Sequence, residues 1–224
     1  MAEMGNGYGS EYQLLRFLGH HRNELNMYIK KALNIESEIE WLDFPYDDNR
    51  LSGDGEYIGI EFLDSYSDIL AQWKKFWPSL KKAQHWDAIA KTKDTWLLIE
   101  AKAHSKEMIS DCTAREKSKE VIEYRMMELI KRYNITPQGS WLKKYYQKAN
   151  RILFISFLES IGIRAQIVFI YFINGYKNIG IENAEEWESL IKEQDMYLGI
   201  EKNEWVKDHI KNIIIDCKMK KMGI

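Results

Sequence analysis

The sequence predicts an α/β domain with a central mixed β-sheet flanked by α-helices. Three observations predict it. Residues 85–104 (HWDAIAKTKDTWLLIEAKAH) read as two short strands joined by a polar turn. Two long helical stretches follow, and then RAQIVFIYFI at residues 164–173, which reads as a buried strand. A last apolar run, Ile213-Ile214-Ile215, supplies one more strand near residues 209–216.

The elements follow in chain order. Ser10 is a fair N-cap for a helix over residues 11–33, whose amphipathic stripe runs through Leu14, Leu15, Leu18, Leu25, Tyr28, Ile29 and Leu33. Residues 38–44 (EIEWLDF) read as a strand ended by Pro45, and residues 46–60 as a loop around LSGDGEY. A helix over residues 65–76 stops before Pro78. After the hairpin, helices are expected at about 114–133 and 140–161, separated by Pro137 and Gly139 and closed by Gly162, with a short one near 183–195.

At 224 residues the chain fits one well-packed domain over residues 10–224, led by a flexible glycine-rich segment, residues 1–9. Eight tryptophans and thirteen tyrosines supply the bulk for a substantial core. The formal charge of -2 argues against a basic coat for non-specific DNA binding, while leaving room for a local basic groove. Cys112 and Cys217 form no metal or redox spacing, and no signal-like start precedes them, so reduced thiols in a cytoplasmic protein are expected. No apolar run approaches the ~20 residues of a membrane helix, so no membrane partner is expected.

Chemistry concentrates in the hairpin. Alternate strand residues share a face, so Glu100 and Lys102 point together while Ala101 packs on the other side. Folding the second strand back on the first brings Asp87 near that pair. Hard cations take oxygen ligands and keep several waters, so two carboxylates, the Ala101 carbonyl and phosphate oxygens would suffice for Mg²⁺ or Mn²⁺. Such an ion acidifies a bound water, and a lysine beside it stabilises developing negative charge. The chain holds a second acid-x-lysine triplet, Asp216-Cys217-Lys218, with Asp208 upstream, but the interval leaves no room for a strand and a turn. A salt bridge of purely structural kind is the competing account of Glu100 and Lys102.

Asp87 followed by Glu100-Ala101-Lys102 at the end of TWLLIEAK resembles the PD-(D/E)XK nuclease superfamily, the restriction-endonuclease-like fold. Trp86 stands where that motif usually has proline. More widely, LLRFLGHHRNELN, WLDFPYD, WDAIA, EAKAH, YYQKANRILF and IVFIYF resemble a group of uncharacterised bacterial proteins assigned to the superfamily. The resemblance implies metal ligation by Asp87 and Glu100, a catalytic role for Lys102, and metal-dependent hydrolysis of phosphodiester bonds, with DNA as partner. It also nominates Glu11, since a helix acid often joins the metal site in such nucleases; an acid in a first helical turn is equally well explained by the helix dipole.

Substrate contacts are expected from Gln147 and Arg151, one helical turn apart among Lys143, Lys144, Tyr145, Tyr146 and Lys148, and from His104 just past Lys102. A helix with one solvated charged side is the plainer reading of that face. His20 and His21 read as ordinary surface or boundary residues, and Trp86 and Trp96 as core aromatics. The acidic loop with Asp47, Asp48 and Asp54 lacks the alternation of a calcium loop. A homodimer would suit cutting of both strands. The alternative to an enzyme is a non-catalytic nucleic-acid-binding or protein-interaction domain on the same fold.

Overall fold

The computed structural model describes residues 8–42, 56–63 and 66–218. The acidic loop of Asp47, Asp48 and Asp54, the end of the strand at Pro45 and most of the lead-in segment lie outside the described residues. The chain is a mixed α/β domain. Strands β1 (Glu40–Trp41), β4 (Ala88–Lys91), β5 (Trp96–Lys102), β6 (Ala165–Ile173) and β7 (Ile210–Asp216) form a five-stranded sheet in the order β1-β4-β5-β6-β7. Strands β2 (Tyr57–Ile58) and β3 (His85–Trp86) pair as a separate two-stranded ribbon.

In the main sheet β4 runs antiparallel to both its neighbours, β1 and β5, whereas β5, β6 and β7 run parallel. A hairpin turn at Thr92 and Thr95 joins β4 to β5, with the Thr92 N–H donating to the Thr95 carbonyl at 2.9 Å. Parallel neighbours require long crossovers. Helices α4 (Glu116–Arg132) and α5 (Tyr146–Ser160) lie between β5 and β6, and α6 (Ala184–Leu198) and α7 (Glu204–His209) between β6 and β7.

Strand alternation divides the core into two layers. Leu97, Ile99 and Ala101 share one face with Val168, Ile170 and Phe172, packed beneath Leu14, Phe17, Leu25 and Ile29 of α1 (Ser10–His20) and α2 (Arg22–Leu33). Trp96 and Leu98 lie on the opposite face with Ile167, Phe169 and Tyr171, covered by α5 and by Trp73 and Trp77 in and just after α3 (Tyr66–Phe76). The same alternation puts Glu100 and Lys102 on the α5 side. No helix among the described residues is long and apolar enough to cross a membrane.

Four local expectations are corrected. The helix over residues 11–33 is two helices, broken at His21 (φ -132°, ψ 34°). One straight helix there would run about 36 Å, so the bend keeps both apolar segments over one sheet face. Ser10 is the first helical residue rather than the cap: Gly9 holds that place at φ 104°, and the Ser10 hydroxyl donates to Glu107 at 3.2 Å. The helix expected from residue 140 begins at Tyr146, because the Asp111 carboxylate accepts from the Lys144 N–H at 2.8 Å and Lys144 adopts φ 58°. Finally, α7 arises where none was foreseen, capped by the Asn203 side chain accepting from the Val206 N–H at 3.1 Å.

Candidate active site

The site begins where the β4–β5 ladder stops. Its last register pair is Ala88↔Ile99, because the preceding residues, His85 and Trp86, leave the sheet to pair with β2. Asp87 therefore sits at the junction, opposite Glu100, rather than opening a strand. Its Oδ2 accepts from the Ala101 N–H at 2.7 Å, standing in for the backbone partner that β4 no longer offers. The N–H and C=O of one strand residue point to the same side, so the Ala101 carbonyl faces that same opened edge.

Glu100 is 1% exposed, Arg151 5% and Lys102 7%. Buried charges are costly unless paired, and here each carboxylate oxygen of Glu100 has a cation. Oε2 accepts from Lys102 Nζ at 3.1 Å. Oε1 accepts from Arg151 Nε at 2.6 Å and also pairs with its terminal nitrogen. That terminal nitrogen donates to the His85 carbonyl at 2.7 Å as well, and the guanidinium lies 4.8 Å from the centre of the Trp86 ring. Trp86 is the core aromatic expected, and it is also a platform for Arg151.

These neighbours set the protonation states. Burial alone would raise the Glu100 pKa, but Arg151 and Lys102 outweigh it and hold the carboxyl below its usual range. Burial would lower Lys102, yet Glu100, Asp87 and Glu107 push it above the ordinary lysine value, so it is a firm cation and no proton acceptor. Asp87 is pushed up to about 7, first by burial and then by the charge of Glu100, with Lys102 and the Ala101 N–H opposing. A carboxyl disfavoured by a neighbouring carboxylate is one that an added cation would relieve.

The other expected residues fall around this centre. Glu11 lies half-buried in the first turn of α1, its pKa raised by burial and by Glu56. Gln147 and Arg151 line one groove of about 840 Å³ together with Lys82, His85, Glu107 and Arg115. His104 caps a short 3-10 turn past β5; its ring packs on Tyr176 at 4.7 Å, and its Nε2 lies 3.6 Å from Glu107. Lys148, flanking Gln147, is buried and bound to Asp195 at 2.5 Å, so it braces α5 against α6. A larger hollow of about 1300 Å³ lies between α3, α4 and α5, away from these acids.

Two further residues join the site. Glu107 accepts from the Ala103 N–H at 2.6 Å and contributes to the field on Lys102. Glu56 pairs with His85 at 3.3 Å and adds to the field on Asp87 and Glu11. An acid five residues past Lys102 could have marked Glu107 in the sequence. Nothing local marks Glu56, whose position depends on β2 pairing with β3.

Among the described residues, no three acids, histidines or cysteines converge as a complete metal cage. The donor set nonetheless suits a hard cation: two adjacent carboxylates and a backbone carbonyl at one strand end, with waters and substrate oxygens left to complete the shell. Comparisons with protein-family models, with curated proteins and with solved structures give no significant match.

Proposed function

We propose that this chain is a divalent-metal-dependent nuclease of the PD-(D/E)XK type, hydrolysing phosphodiester bonds in DNA from a restriction-endonuclease-like core. The observation that carries the reading is the meeting of Asp87 with Glu100 and Lys102 at the carboxyl end of β5, tied by the Asp87–Ala101 hydrogen bond. The adjoining groove supports it, because Lys82, Arg115 and Arg151 line it with Glu107 as the single acid among the described residues.

Asp87, Glu100 and the Ala101 carbonyl would hold Mg²⁺ or Mn²⁺, with Glu56 adding negative field at Asp87 and Glu11 lying beyond Glu56. Bound there, the ion supplies an acidified water and charge neutralisation. Lys102 stabilises negative charge building on the phosphate oxygens, which its fixed protonation favours. Gln147 offers amide N–H groups to the strand lying in the groove. His104 is held near Glu107, at the rim, where it would meet phosphate rather than the reacting atoms.

The test is a Mn²⁺ titration of the wild type beside Asp87→Ala, followed by cleavage trials on single-stranded DNA, duplex DNA and RNA. Metal binding and cleavage that Asp87→Ala abolishes, with Lys102→Met still binding the metal but cleaving far more slowly, is the expected result. Equal metal binding by wild type and Asp87→Ala, or none at millimolar metal, would defeat the reading. One observation favours a second reading, a non-catalytic binding domain: both Glu100 oxygens are already engaged by cations of the chain itself.

A further inference from the structure

Two cations of the chain itself, Lys102 and Arg151, already engage the buried Glu100 carboxylate. The two cations are held differently. Lys102 comes from the same strand as Glu100 and makes one 3.1 Å contact. Arg151 comes from α5 and is fixed from three directions: by Glu100 Oε1, by the His85 carbonyl at 2.7 Å and by the Trp86 ring at 4.8 Å. Its planar fork therefore occupies the Glu100 oxygen that Lys102 does not, and Arg151 itself also lines the groove.

A divalent ion at Glu100 would need one of its two oxygens and would meet a full positive charge beside either. Resting on the metal-site reading above, we propose that Arg151 is a built-in counter-cation that competes with the metal for Glu100, so that metal uptake requires the guanidinium to move off into the groove. This assigns Arg151 a gating and positioning role instead of the free phosphate contact its helix face implies. It also reconciles a ligand set suited to a hard cation with a carboxylate whose oxygens are both taken.

The experiment uses the whole chain and Mn²⁺ alone as probe, with affinity read by calorimetry for wild type, Arg151→Gln and Arg151→Lys. Removing the competing charge should tighten binding at least about tenfold in Arg151→Gln, roughly the effect of 1.4 kcal/mol. Arg151→Lys, which keeps the charge but loses the fork, should fall between that variant and the wild type. A residue that merely props up the site would give the opposite order, since its loss would weaken binding. Metal binding in the wild type with equal or weaker binding in Arg151→Gln would overturn the inference and leave the metal-site reading standing. Absence of binding in all three proteins would remove both. Should Arg151→Gln fail to fold, Arg151→Lys decides alone: binding tighter than wild type supports the proposal, and equal or weaker binding overturns it.

Discussion

Strands β5 and β7 lie on either side of β6, run parallel to it, and each ends in an acid-x-lysine triplet. At β5 the triplet is Glu100-Ala101-Lys102; at β7 it is Asp216-Cys217-Lys218. The first is buried and its acid faces two cations. In the second, Asp216 and Lys218 are exposed, and the Asp216 carboxylate accepts from Asn174 Nδ2 and from the Lys218 N–H, each at 2.9 Å, as an ordinary strand-end cap. Residue types and backbone direction are shared, so neither explains the difference. Sheet position does. β5 is central, covered by α5, and borders a strand that breaks off at Asp87; β7 is an edge strand entered directly from α7, with Asp208 in that helix instead of a facing strand. A charged pair without water around it interacts several-fold more strongly than one in solvent.

The widest separation between the triplets is expected in stability. Glu100→Ala strands Arg151 and Lys102 as buried charges without their carboxylate, which should cost about 3–5 kcal/mol. Asp216→Ala removes two solvated hydrogen bonds and should cost under about 1 kcal/mol. Urea denaturation of both variants checks the pair; equal losses would mean that burial does not distinguish the two strand ends.

Activity should divide the lysines in the same way. On the nuclease reading proposed above, Lys102→Met removes the cation facing the site and should slow phosphodiester cleavage by about 10²–10³-fold, the usual effect of losing one charge-stabilising donor. Lys218→Met should leave the rate within about twofold, because its charge lies in solvent beyond the edge strand. Single-turnover cleavage at saturating Mn²⁺ is the measurement, and a comparable loss in both variants would break the contrast.

Much of this contrast is legible in the sequence. The apolar runs over 96–99 and 165–173 identify central strands, and the length of the polar turn at 92–95 places Asp87 opposite Glu100. The missing strand before Asp216 marks the second triplet as unlike the first. Arg151 is where local reading stops. From its helix it is one of several cations on a polar face, and only the packing of α5 on the Glu100 side of the sheet turns it inward. Glu56 and His85 likewise meet through the β2–β3 ribbon, a pairing that two-residue strands do not announce. The break at His21 follows Gly19 in the last turn of α1, a helix-weakening residue that the amphipathic stripe through 11–33 outweighs in a reading by periodicity.

Asp87 gives the contrast a pH dependence. Its folded pKa of about 7 lies above the ordinary aspartate value of 3.8, so between those values the native state holds a proton that the unfolded chain has released. Its contribution to stability is therefore fully present at low pH and is lost as pH rises toward 7. Asp87→Asn keeps an acceptor for the Ala101 N–H and has no such loss. In metal-free buffer it should match the wild type near pH 4 and exceed it by about 1–3 kcal/mol at pH 8. A stability difference that stays constant across that range would show that burial and the Glu100 charge do not raise the Asp87 pKa in the folded chain.

The smallest expected effect comes from the tie between the β7 end and α1. Arg16 donates to the Cys217 carbonyl at 3.1 Å and to Gln13 at 3.2 Å, both neutral acceptors, and it is only half-buried. Arg16→Met should cost about 1 kcal/mol, the net worth of an ordinary hydrogen bond. With no opposing charge involved, that cost should be the same at low and high salt. Glu100→Ala should share the salt insensitivity for another reason, since its charges are buried beyond the reach of ions. Denaturation of both variants at low and high ionic strength tests this: a cost at Arg16 that shrinks with salt would mean that a carboxylate, Asp216 being next in the chain, is its working partner, and the edge triplet would then carry more electrostatic weight than its exposure implies.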